Sequence, residues 1–187
     1  MIQRVIPVPP FDYVVFGGTG DLARRKLLPA LYYRLKDAQI PGGSRIIGAS
    51  RREMSDDAYR VMIGAALEQF LPAADRDPAI IDRFLGMATY VSVDASGNSG
   101  WDRLAKALAD GEDKVRAFYL AVGPDLFDGI CERIGRHGLV TPSTRVVIEK
   151  PVGTDLESAK AVYEAVGAVF QEDQIFRIDR YLGKETV

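Results

Sequence analysis

Apolar residues in this chain follow two alternating rhythms. Short runs rich in β-branched and aromatic residues recur at 13–16, 45–48, 87–93, 115–122, 144–148 and 174–178, and each predicts a β-strand. Between them the apolar spacing widens to three or four. Leu27, Leu28, Leu31 and Leu35 form one such stripe. Tyr59, Met62, Ala66 and Phe70 form a second, and Trp101, Leu104, Ala105 and Leu108 a third. Leu126, Phe127, Ile130 and Ile134 follow, and then Ala159, Val162, Val166 and Val169. Each stripe predicts a helix with one buried face.

The polar punctuation agrees with these boundaries. Ser55 followed by Asp56 and Asp57 predicts an N-cap with acidic residues in the first turn, and Asp77-Pro78 repeats the signal for a short helix ending near Gly86. Thr154-x-x-Glu157 has the spacing of a capping box. Gly111 and Gly138 close two helices, and Pro29, inside the first stripe, predicts a restart with residues 21–26 as a separate first turn. The stretch from Asp94 to Gly100 reads as a polar loop.

Regular alternation of strand and helix implies parallel pairing through right-handed crossovers, with helices over both faces of one sheet. The expected fold is therefore α/β, a doubly wound parallel sheet of the Rossmann-like kind. Such folds bind ligands beyond the carboxyl ends of their strands. Residues 17–20, 50–52, 122–124, 149–151 and 179–184 collect there.

The first of these segments is the most distinctive. A strand stops at Gly17-Gly18-Thr19-Gly20-Asp21-Leu22-Ala23, and a helix begins within a few residues. Gly17 permits the reversal, Gly18 and Gly20 permit close approach, and Ala23 is small enough for the helix to lie near the strand. Backbone N–H groups bared at a helix start attract a phosphate. The spacing is not G-x-G-x-x-G, and alone it serves equally well as a plain tight connection.

Composition narrows the classes. A chain of 187 residues, 47% hydrophobic and 27% charged, fits one sizeable α/β core. A net charge of −2 gives no electrostatic case for nucleic acid or an anionic membrane. The first ten residues lack the apolar core of a signal peptide, and no run approaches a membrane span; a cytoplasmic protein is expected. The single cysteine, Cys131, shares an apolar helix face with Ile130 and Ile134 and is expected to be buried and inert. No cluster suggests a metal.

At the end of the second strand, where an NAD site carries a carboxylate for the ribose hydroxyls, stand Ser50 and Arg51, then Arg52. A guanidinium cannot accept from a hydroxyl, but it forks a 2′-phosphate, so NADP is expected over NAD. Glu53 is the complicating neighbour. Lys26, one turn past the glycine loop, is within reach of a phosphate. Lys150 follows a buried strand and precedes Pro151, which anchors it where it can donate to a hydroxyl or carbonyl.

Three motifs carry a resemblance beyond this pattern: Gly-Gly-Thr-Gly-Asp-Leu-Ala-(x2)-Lys-Leu-Leu-Pro at 17–29, Glu-Lys-Pro-Val-Gly-Thr-Asp-Leu at 149–156 and Arg-Ile-Asp-Arg-Tyr-Leu-Gly-Lys-Glu at 177–185. In this order they resemble glucose-6-phosphate dehydrogenase, over essentially the whole chain but only the amino-terminal part of that family. The resemblance implies a coenzyme domain over 1–178 and the start of a substrate domain over 179–187. It implies NADP held by Gly17, Gly18, Thr19, Gly20, Asp21 and Leu22, with Arg51 beside Ser50, and Lys150 contacting coenzyme and glucose 6-phosphate. Tyr181 and Lys184 match the family's phosphate ligands, and Asp179 its carboxylate that orients a catalytic histidine of the second domain.

Two departures stand out. The family's histidine in the third motif is Arg180 here, which keeps positive charge with longer reach. The family's general base belongs to a region outside this chain, and the one histidine, His137, sits at a predicted helix end suited to a dipole contact. The leading expectation is the NADP-binding domain of an enzyme that oxidises glucose 6-phosphate to 6-phosphogluconolactone, inactive as a fragment and oligomeric when whole. The halt at Lys184-Glu185-Thr186-Val187 favours it. Arg180 favours the alternative, a complete non-catalytic NADP-binding sensor or decoy.

Overall fold

The computed structural model describes residues 8–150 and 156–179. Six parallel strands form a single sheet in the order β3-β2-β1-β4-β5-β6, with β1 at Phe11–Phe16, β2 at Arg45–Ser50, β3 at Ala88–Ser92, β4 at Val115–Leu120, β5 at Arg145–Lys150 and β6 at Ile175–Asp179. The helices are α1 at Leu28–Lys36, α2 at Asp56–Phe70, α3 at Pro78–Gly86, α4 at Trp101–Leu108, α5 at Phe127–Arg136 and α6 at Leu156–Gly167. The order reverses between β1 and β4, the switch point at which a doubly wound sheet opens a crevice.

Strand alternation divides the apolar residues between two cores. Ile46 turns to one and Ile47 to the other. The larger core joins Phe16, Phe118, Val146 and Ile148 to Trp101, Ile130 and Val166. The smaller joins Leu28, Tyr32, Leu35, Tyr59, Ile63 and Phe84. That smaller core contains no residue of β4, β5 or β6, and Phe176 and Ile178 on β6 are 49% and 43% exposed. Among the described residues, helical cover is therefore continuous on one face and gathers over the β1–β3 half on the other, where the alternation alone predicts cover throughout.

The caps form as their residues dictate. Ser55 Oγ accepts from the Ala58 N–H at 3.2 Å, and Asp77 Oδ1 accepts from Ala79 and Ile80 at 2.9 and 3.3 Å. The capping box at Thr154 lies outside the described residues. In α2 the inward face is Tyr59, Ile63, Ala66 and Leu67; Tyr59 and Ala66 match the predicted stripe, while the predicted Met62 and Phe70 are half-buried. Near Pro29 the chain does not stop. It runs through a wide π turn at Ala23–Leu27, closed by Leu28 N–H to Ala23 O, since Pro29 has no N–H for the Arg25 carbonyl.

Opposite the carboxyl edge lies a buried ionic cluster. Asp12, fully buried, accepts from Arg45 Nε and Nη2 at 2.7 and 2.6 Å, with Lys114 Nζ at 3.7 Å. Arg116 crosses the core edge to the Leu139 and Leu108 carbonyls at 2.9 and 2.8 Å, and its burial lowers the guanidinium pKa. Cys131 is buried, and desolvation pushes its thiol up to about 12. Among the described residues no helix is long and apolar enough to cross a membrane.

Candidate functional site: a nucleotide cradle at the carboxyl edge

The glycine loop is held by the strands on either side of it. Gly17 and Gly18 both donate to Ala49 O at the end of β2, at 2.8 and 3.3 Å. Gly17 has φ +82, and a Cβ there would run into the Ala121 carbonyl just past β4. At Gly18 a Cβ would sit 2.8 Å from Gly48 Cα. The close approach that Gly18 permits is thus of the loop to β2, where the sequence pattern suggested approach to a ligand.

Gly20 differs from both. Its N–H donates to Gly17 O at 2.9 Å, and an added Cβ would touch only Gly17 O, at 3.1 Å. Protein packing leaves the space above it open. Among the described residues, the N–H groups of Thr19, Asp21 and Leu22 find no acceptor. They lie where the helix begins, with Arg24 N–H already bonded to Gly20 O at 3.1 Å. Unused donors at a helix start, with no side chain over them, suit an anion. Asp21 is exposed beside Arg25, at 3.4 Å, and Lys26 is exposed in the wide turn.

Hydroxyl groups join this loop to the end of β2. Thr19 Oγ1 lies 3.0 Å from Ser50 Oγ, which lies 2.7 Å from Tyr90 Oη. Tyr90 Oη also reaches Ser50 O at 3.1 Å and Arg52 O at 2.6 Å. Below them Tyr59 donates to Gly18 O at 3.3 Å, its ring 5.1 Å from that of Tyr90; burial pushes the Tyr59 phenol up. Nothing in the spacing of Tyr59 and Tyr90 announces these bonds, because both residues read simply as core.

Past Ser50 the charges sort themselves. Arg51 and Arg52 are exposed, and neither guanidinium has a partner among the described residues. Glu53 is drawn away: its carboxylate takes Arg103 Nη2 at 3.0 Å and a bond from Ser92, which hold its pKa below the usual range. The neighbour that clouded the sequence reading is therefore already engaged.

Between these elements lies a mostly apolar slot of about 210 Å³. It is lined by Phe16, Gly17 and Ala49, by Val93–Ser96, by Val122 and Leu126, and by Ser50 and Arg51. The 93–96 wall went unread in the sequence because its residues carry no motif.

At the β5–β6 end, Lys150 and Asp179 are partners in the strand register, so the second and third motifs arrive side by side. Next to Lys150, Glu149 accepts from the Tyr119 hydroxyl. Burial, reinforced by the Glu149 charge, raises the pKa of the neighbouring Tyr13 phenol. Pro151, Arg180, Tyr181 and Lys184 lie outside the described residues. His137 caps α5, stacks on Trp101 with centroids 6.0 Å apart, and places Nδ1 3.3 Å from Asp102. Among the described residues no cluster of carboxylate, histidine or cysteine groups is arranged for a metal ion.

Comparison with known proteins agrees with this geometry. Residues 14–187 match the family described as glucose-6-phosphate dehydrogenase, NAD binding domain. The glucose-6-phosphate 1-dehydrogenase of Rhizobium meliloti (strain 1021) is 54% identical over 187 residues, covering 100% of this chain and 38% of the relative. That of Gluconobacter oxydans (strain 621H) is 50% identical over 182 residues, 96% of this chain and 37% of the relative. A solved glucose-6-phosphate dehydrogenase in complex with glucose-6-phosphate superposes with a TM-score of 0.83 at 32% identity, over 99% of this chain and 39% of that one. The Mycobacterium avium enzyme gives 0.83 at 34%, over 94% and 37%. The chain thus spans well under half the length of these relatives. With the sheet order and the glycine loop in place, it belongs to the glucose-6-phosphate dehydrogenase family, as a nicotinamide-dinucleotide-binding domain.

Proposed function

We propose that this chain binds NADP, in preference to NAD, as the coenzyme domain of an enzyme that oxidises glucose 6-phosphate to 6-phosphogluconolactone. The observation that carries the reading is the pairing at the end of β2: Arg51 is exposed and has no partner among the described residues, while Glu53 is bound to Arg103. A free guanidinium with no competing carboxylate suits a 2′-phosphate. The unused N–H groups of Thr19, Asp21 and Leu22 suit the pyrophosphate, and the slot between Val93–Ser96 and Val122 suits the adenine ring.

When bound, the nicotinamide supplies the acceptor for hydride from the sugar. The chain's own part is to hold and orient. Lys150, anchored at the end of β5, donates to the sugar oxygen at the reacting carbon, and Asp179 at the end of β6 orients a base supplied from outside this chain. Arg180, Tyr181 and Lys184 follow as the candidate grip on the sugar phosphate. Assembly into an oligomer and a cytoplasmic site of action complete the proposal.

Calorimetric titration with NADP and NAD tests it. NADP binds the tighter, and Arg51→Ala removes most of the difference, about 10- to 100-fold for a lost charge-assisted phosphate contact. Equal affinities before substitution would refute the reading. No glucose 6-phosphate-dependent NADPH formation is expected from the chain alone, and steady turnover would show that it carries a base of its own.

A further inference from the structure

Tyr90 belongs to β3, and its ring packs in the smaller core, yet its hydroxyl serves the turn after β2. The hydroxyl protons there follow from the shortest contact. A phenol carries a single hydrogen, and a carbonyl only accepts. The shortest carbonyl contact is Arg52 O at 2.6 Å, so the Tyr90 proton goes there. Tyr90 Oη, 2.7 Å from Ser50 Oγ, must then accept from that hydroxyl, and Ser50 Oγ, its proton used, must accept from Thr19 Oγ1 at 3.0 Å. The result is a directed chain from Thr19 through Ser50 and Tyr90 to the carbonyl of Arg52. It runs from the glycine loop to the residue after Arg51.

From this we infer that Tyr90 is a positioning residue for 2′-phosphate recognition: its hydroxyl fixes the 50–52 turn against the glycine loop and so holds Arg51 at the distance a bound dinucleotide requires. The inference rests on the assignment of Arg51 to the 2′-phosphate. Its physical basis is that the Arg51 side chain has no partner of its own among the described residues, so its placement is set by its backbone. That backbone is bonded at Arg52 and has hydroxyl neighbours at Ser50 and Arg51. Tyr90 Oη donates to the Arg52 carbonyl and lies 3.1 Å from that of Ser50, and Ser92 Oγ lies a looser 3.3 Å from the Arg51 carbonyl.

Tyr90→Phe removes the hydroxyl and leaves the ring against Tyr59. NADP and NAD are titrated calorimetrically into the chain, Tyr90→Phe, Arg51→Ala and the double variant, with thermal melts alongside. The ratio of NAD to NADP dissociation constants is expected to fall about 3- to 10-fold in Tyr90→Phe, the effect of one buried hydrogen bond. It should fall no further when Tyr90→Phe is added to Arg51→Ala, because the tyrosine acts through the arginine. A parallel weakening of both coenzymes with the ratio unchanged would assign Tyr90 to the fold alone and overturn the inference. So would an unchanged ratio in Tyr90→Phe beside a reduced one in Arg51→Ala, with the Arg51 reading intact. Absence of NADP preference in the unsubstituted chain would overturn both.

Discussion

Gly18 and Gly20 stand two residues apart in one loop, and substituting each separates what the fold needs from what the ligand needs. At Gly18 an added Cβ lies 2.8 Å from Gly48 Cα and 3.0 Å from Val15 O, well inside the separation at which carbon atoms rest. Both neighbours are main chain in strands paired by hydrogen bonds, Val14 opposite Ile47 and Val15 opposite Gly48, so neither can swing aside. Gly18→Ala is therefore an overpacking substitution costing about 1–3 kcal/mol, a melting temperature lower by about 3–10 °C for a domain of this size. At Gly20 the Cβ touches only Gly17 O, at 3.1 Å, and φ is not positive. Gly20→Val costs the fold about 1 kcal/mol or less. Its branched side chain rises over the free N–H groups of Thr19, Asp21 and Leu22, and loss of two charge-assisted bonds lowers NADP affinity about 100-fold or more. Thermal melting and calorimetry on the two variants give the result. If Gly20→Val melts as early as Gly18→Ala, or binds NADP normally, the loop is only a connection and the reasoning fails.

Two further outcomes concern the frame. Asp12→Ala removes the buried partner of Arg45 and Lys114, leaving Arg45 its pair with Asp110 at 3.0 Å, and is expected to cost about 2–3 kcal/mol in urea unfolding; a loss within about 1 kcal/mol would show the cluster to be incidental. The Cys131 thiol, raised from 9.0 to about 12, should resist a disulfide reagent at neutral pH until the chain unfolds. Because the folded thiol keeps its proton where the unfolded one loses it, stability should fall as pH rises above 9.0, by more than in Cys131→Ala; identical profiles would remove the thiol from the account.

The strand–helix alternation made the fold legible, since parallel strands and their crossovers leave unmistakable apolar rhythms. The glycine loop and the arginines after β2 were legible because motif and chemistry coincide there. What escaped depends on contacts between residues far apart in the chain. Glu53 is disarmed by Arg103, fifty positions away. Tyr90 reads as a core aromatic, and its hydroxyl matters only because β3 lies beside β2. The inward face of α2 slipped to Ile63 and Leu67 because Met62 and Phe70 are apolar enough to mimic it. The exposure of Phe176 and Ile178 among the described residues has no sequence mark at all, since a strand covered on one face and one covered on both differ by only a few exposed side chains.

The most direct measurement is the crystal structure of the chain grown with NADP. The account predicts the pyrophosphate within hydrogen-bond distance of the main-chain N–H groups of residues 19–22, and the 2′-phosphate against the Arg51 guanidinium with Glu53 still on Arg103. A dinucleotide seated with its pyrophosphate away from that loop, or with its 2′-phosphate in solvent and Arg51 turned aside, would contradict it.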